Sequence, residues 1–175
     1  MKRTVLTTFC LALLCAAVAS PPTDTTSAKP GNLEDILNEI VSVTGLQPSF
    51  TLKQADVMNM EASVTRHKRV ILYNPSFISW LYVATHDRWA AATLLAHEIG
   101  HHLNGHTLKR GGSKPSVELE ADEYAGFVMF KLGATLQQAQ EVMKYIATRE
   151  GSSTHPPRAE RMKALQRGWE RGKGQ

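Results

Sequence analysis

Leu95-Ala96-His97-Glu98-Ile99-Gly100-His101-His102 contains His-Glu-x-x-His, two histidines four positions apart with a glutamate after the first. His97 and His101 stand one helical turn apart, so on a helix their imidazoles share a face, about 5–6 Å apart at Cβ. Both then reach one tetrahedral metal ion at about 2.0–2.1 Å. Glu98 is rotated about 100° from His97. It misses the ion but reaches a water beside it, where a general base is needed. The flanking residues Trp89, Ala92, Leu94, Leu95, Ile99 and Leu103 are apolar, and a polar cluster in such a stretch is costly unless it is used.

A zinc ion that does chemistry keeps three protein ligands and one open corner. The candidates for the third ligand are His102, His106 and a later carboxylate. His102 is about 100° from His101, and His106, nine residues past His97, falls about 180° round a continued helix and faces away. The carboxylates come in Ser116-Val117-Glu118-Leu119-Glu120-Ala121-Asp122-Glu123-Tyr124-Ala125. Glu118 and Asp122 are again i, i+4, and the small Ala121 and Ala125 allow close helix packing. Glu118 is the candidate third ligand. Asp122 is the candidate acceptor for the free ring nitrogen of a ligand histidine, which would fix its tautomer. Glu120 and Glu123 fall on other faces.

Upstream, Asn32 is placed to cap a helix with Leu33, Ile36, Leu37 and Ile40 on one face, closed by Gly45 and Pro48. Residues 49–74 lose that period. Phe50 and Leu52 alternate with polar neighbours, Val57 to Val64 are strand-like, and Arg69 to Tyr73 form a β-branched run stopped by Asn74-Pro75. With Arg66-His67-Lys68 as a polar turn, these predict a small antiparallel sheet. Beyond Pro75 the pattern is helical. It gives Phe77–Val83, then Arg88 to about Thr107, a break at Gly111-Gly112-Ser113-Lys114-Pro115, then Ser116–Leu132 stopped by Gly133. A capping-box helix runs from Thr135 to about Glu150, and a last helix starts at Pro156-Pro157. The fold class is α+β, mostly helical, with the sheet preceding the metal-binding helix.

At the start, Met1-Lys2-Arg3 precedes an apolar run from Val5 to Ala19 that ends in Ala17-Val18-Ala19. The run is shorter than the about 20 residues of a spanning helix. Residues 1–19 are expected to be a cleaved secretory signal, 20–31 (rich in Pro, Thr and Ser) a flexible leader, and 32–175 a single domain. Both cysteines, Cys10 and Cys15, lie in the signal, so a metal in the processed chain must use His and carboxylates. Removing Lys2 and Arg3 takes the net charge from +4 to +2, which gives no case for nucleic acid. No second long apolar run marks a membrane span, although peripheral membrane contact stays open. The basic residues Arg158, Arg161, Lys163, Arg167, Arg171 and Lys173 are expected to form a solvated face.

The run from His97 to His106, followed by Glu118-x-x-x-Asp122, resembles the HtpX-like and CAAX-prenyl-protease zinc metallopeptidases. These are gluzincins, with two helix histidines and a downstream glutamate. The likeness extends to Tyr73-Asn74-Pro75 and to Thr154-His155-Pro156-Pro157 with Arg161. It implies a zincin-like fold and one Zn2+ per chain on His97, His101 and Glu118. It also implies Glu98 as base and acid and Asp122 as the supporting aspartate. His155 matches a His-Pro position near the metal, where it either meets the transition-state oxyanion or fills the fourth position. The expected activity is that of an exported zinc endopeptidase in the bacterial periplasm or secreted, acting on polypeptide such as unfolded or misfolded envelope protein. The alternative is a catalytically silent, chaperone-like zinc module with His155 in the fourth position.

Overall fold

From Ala90 to Gly100 every residue of one helix is buried. A helix covered all round is the centre of its domain, and the other elements are arranged about it. The computed structural model describes residues 32–47, 49–108 and 114–174. The expected signal and leader, the stop at Pro48 and the Gly111-Gly112-Ser113 break lie outside the described residues. The elements run α1 (Leu33–Thr44), β1 (Phe50–Gln54), β2 (Met60–Thr65), β3 (Lys68–Tyr73), α2 (Pro75–Thr85), α3 (Trp89–Leu103), α4 (Pro115–Lys131), α5 (Leu136–Glu141), α6 (Met143–Ile146) and α7 (Arg158–Lys173). The central helix is α3. Its Ala90, Ala91, Ala92 and Ala96 are short enough for neighbours to close in, while Leu95 and Ile99 are fully buried, worth about 1.5–3 kcal/mol each.

Local signals explain most boundaries. Asn32 caps α1 by accepting from the Glu34 amide at 3.2 Å, and Gly45 ends it in the left-handed region at φ 66°. Asn74 accepts from the amides of Ser76 and Phe77, with Pro75 in the first turn of α2. Thr135 and Gln138 form the expected reciprocal capping box of α5. That helical stretch ends sooner than its pattern suggests, at Ile146 rather than near Glu150. Ala147 turns extended because its carbonyl accepts from Arg158 Nε at 2.8 Å, and Arg158 N donates to Thr148 O at 2.9 Å. The start of α7 thus holds the chain out of the helix.

The sheet corrects the antiparallel expectation, for it is mixed, in the order β1-β3-β2. β1 runs parallel to β3, with Phe50 opposite Arg69 and Gln54 opposite Tyr73. β2 and β3 form the antiparallel hairpin, from Met60 opposite Tyr73 to Thr65 opposite Lys68. Its turn residues Arg66 and His67 both have positive φ, 49° and 63°, the form that matches strand twist. No helical crossover is needed for the parallel pair, because β2 lies between β1 and β3 in sequence. Residues 55–59 need only cross two strand spacings, about 9.6 Å, to put β2 on the far side of β3.

α4 and α7 pack unusually close. A Cβ on Gly126 would lie 1.9 Å from Leu165 O, and one on Gly168 would lie 1.8 Å from Glu123 O. Only glycine lets these backbones meet. Gly100 serves the same end between α3 and α4, where a Cβ would be 3.2 Å from Ala121 Cα. These approaches bring α3, α4 and α7 together at the candidate site.

Candidate metal centre

The helix α3 presents His97 and His101 on one side, as their spacing predicts. Their Nε2 atoms lie 3.0 Å apart. From α4, Glu118 brings Oε2 to 3.4 Å from His97 Nε2 and Oε1 to 3.4 Å from His101 Nε2. Among the described residues these three form the group able to share an ion. Tetrahedral bonds of about 2.0–2.1 Å place donor atoms about 3.3 Å apart, so the trio has the edge lengths of three corners of such a site. Two neutral imidazoles and one carboxylate are also a donor set suited to zinc.

Each of the other expected residues has a definite place. Glu98 is buried and its Oε2 accepts from the Ala62 amide of β2 at 2.7 Å. Burial pushes its carboxyl up to about 7, against the downward pull of His97 and of the Ala62 amide. Asp122 is fully buried, with Oδ1 2.8 Å from His97 Nδ1. It is gripped by Arg161, whose Nε and terminal nitrogen donate at 2.8 Å to its two oxygens. Burial alone would raise the Asp122 carboxyl, but the His97 and Arg161 charges outweigh it and hold it below its ordinary range. In the metal-free chain burial disfavours charge on His97 too, yet Asp122, Glu118 and Glu98 around it lift it to about 10.

His155 is half exposed at the mouth of the cleft. Its Nε2 is 3.7 Å from Glu118 Oε2, outside the trio. It is carried on a tight loop in which Gly151 takes φ 77°, and Ser152 Oγ accepts from the amides of Thr154 and His155. The cleft has a volume of about 740 Å³ and is bordered by β2 at Met60, Glu61 and Ala62, by Leu94, and by Ile146.

His102 stands off the trio as its rotation from His101 predicts, whereas His106 and Arg161 do not stand where the sequence places them. His102 is buried away from the trio, with Nε2 3.1 Å from Val70 O. His106 does not face away. The helix ends at Leu103, Gly105 takes φ 69°, and the chain folds back so that His106 Nδ1 lies 2.9 Å from His101 Nδ1. Rotation counted along a continued helix misses this turn. The expected basic face of α7 is divided: Arg161 is buried at the site, Arg167 and Arg171 pair with Glu123, and Lys173 lies 4.2 Å from the centre of the Trp169 ring. What sets Arg161 apart from its basic neighbours is the buried Asp122 beneath it, which needs a cation.

Residues 112–168 match Peptidase family M48. The match is consistent with the HtpX-like resemblance. It takes in Glu118, Asp122, His155 and Arg161 and begins after His101. M48 peptidases are zinc-dependent, and the match supports a zinc metallopeptidase. No curated protein and no solved structure matches the chain.

Proposed function

We propose that this chain is a zinc-dependent endopeptidase with a zincin-like fold. The observation that carries the reading is the trio of donor atoms with edges of 3.0–3.4 Å beside a buried glutamate. His97, His101 and Glu118 hold one zinc ion, which when bound polarises the scissile carbonyl and lowers the pKa of the attacking water towards about 7. Glu98 takes the proton from that water and returns it to the leaving amine. The Ala62 amide fixes the angle of Glu98. Asp122 holds the His97 ring through Nδ1, and Arg161 neutralises Asp122. A substrate strand pairs with the exposed edge of β2, which borders the cleft. His155, above Glu118, donates to the oxygen on which negative charge develops.

The substrate in this proposal is extended polypeptide, with unfolded or misfolded envelope protein as the natural source. Export follows from the signal pattern of residues 1–19, with the periplasm as destination. Intact mass of the protein recovered from the envelope then starts after Ala19; a retained Met1 refutes cleavage. Among the described residues no helix is long and apolar enough to cross a membrane.

The decisive comparison is casein cleavage by wild type and Glu98→Gln. Removal of the base leaves zinc content unchanged and lowers the rate by about 10²–10⁴-fold. Equal turnover ends this mechanism. A second reading is favoured by the 3.7 Å approach of His155 to Glu118: a silent zinc module whose fourth position His155 fills. His155→Ala separates the two. Cleavage falls if the residue serves the reaction and rises if it blocks it.

A further inference from the structure

Zinc held through Nε2 leaves each histidine with an Nδ1–H that needs an acceptor, and the acceptor sets the ring's tautomer and angle. His97 has Asp122. His101 has a different partner: its Nδ1 lies 2.9 Å from His106 Nδ1, and His106 Nε2 lies 2.9 Å from Glu120 Oε2. The His106 side chain is only 5% exposed, while Glu120 is 60% exposed. The rings of His101 and His106 meet edge-on, centroids 5.1 Å apart.

Proton bookkeeping leaves one neutral arrangement. Two Nδ1 atoms in a hydrogen bond cannot both donate. A His101 that ligates through Nε2 carries its proton on Nδ1, so His106 Nδ1 accepts. The His106 proton is then on Nε2, and Glu120 accepts it. We propose that His106, anchored by Glu120, is a positioning residue that fixes the tautomer and orientation of His101 for metal binding. The inference rests on the reading of His97, His101 and Glu118 as a metal site. It extends that reading to a relay from the metal to the solvent face of α4. His106 does this as a neutral acceptor, so no further carboxylate enters a pocket that already buries Glu98, Glu118 and Asp122.

The test is zinc affinity, measured by competition with a chromophoric chelator on the full chain. Leu and Asn share the branched skeleton of His at Cγ, but only Asn offers an acceptor where Nδ1 stands. His106→Leu weakens zinc binding by about 10–100-fold, the range for loss of such a partner, and His106→Asn restores most of it. A packing role for the ring predicts no such rescue. Zinc affinity in His106→Leu equal to wild type, or His106→Asn as weak as His106→Leu, overturns the relay. A wild-type chain that takes up no zinc overturns the metal-site reading, and the relay falls with it. Should His106→Leu not fold by circular dichroism, Glu120→Ala decides: on a solvated side chain it leaves the core intact, weakened zinc binding supports the relay, and unchanged binding overturns it.

Discussion

The two histidines of one helix face are held in opposite ways. His97 leans on Asp122, which is sealed in the core and clamped by Arg161 from α7. His101 leans on His106, which sits on a turn after the helix and ends in a solvated carboxylate. The first support is built from helices that touch backbone to backbone at Gly126 and Gly168. The second hangs on one left-handed glycine. The candidate metal site thus has a stiff side that belongs to the folding core and a lighter side that local changes reach without touching that core.

Removing the clamp on the stiff side has the largest expected effect. Arg161→Leu removes the guanidinium that donates to both Asp122 oxygens and leaves His97 as the one cation beside it; the loss costs about 1.5–3 kcal/mol per charged hydrogen bond, read as a lowered urea midpoint in the metal-free chain. A midpoint near wild type would erase the distinction between the sides. On the lighter side, Gly105→Ala forces a Cβ into the left-handed region, costing about 1–2 kcal/mol. A Cβ there meets nothing within 4 Å, so the strain is local. The expected signature is weaker zinc binding with a small loss of stability, the reverse of the balance expected for Arg161→Leu.

The smallest effect is a proton count. His97 rises from 6.5 to about 10 in the metal-free chain. A group raised on folding stabilises fully below its unfolded value, and that contribution is lost as pH rises through about 10. At pH 7 the metal-free chain therefore carries the His97 proton, and zinc must displace it. Calorimetry in buffers of different ionisation enthalpy should show a proton released on zinc uptake at pH 7 and affinity that climbs with pH. Uptake without proton release contradicts the charge assigned to the stiff side.

Legibility in the sequence followed the range of the interaction. Asn32, Pro75 and the Thr135–Gln138 box act within a few residues of themselves, and the structure has caps at each. The spacings of His97 and His101 and of Glu118 and Asp122 were readable because helical phase survives over one turn. The same phase count failed at His106, since Gly105 resets it. Strand order was not legible: the parallel pairing of β1 with β3 depends on which side of β3 the sheet adds to, and no local residue encodes that. Arg161 resembles its exposed basic neighbours in sequence and differs only in what α4 places beneath it. The early end at Ile146 has the same origin, an arginine on α7 competing for a carbonyl eleven positions back.

The tether between Ala62 and Glu98 uses a main-chain amide. Nothing about the residue at that position, short of proline, changes the donor. In the proposed enzyme the side chains of β2 are thus free to vary with whatever the cleft must accommodate, while Glu98 keeps its aim. Selectivity and reactivity of such an enzyme would be written on the same strand in separate alphabets, one in side chains and the other in backbone.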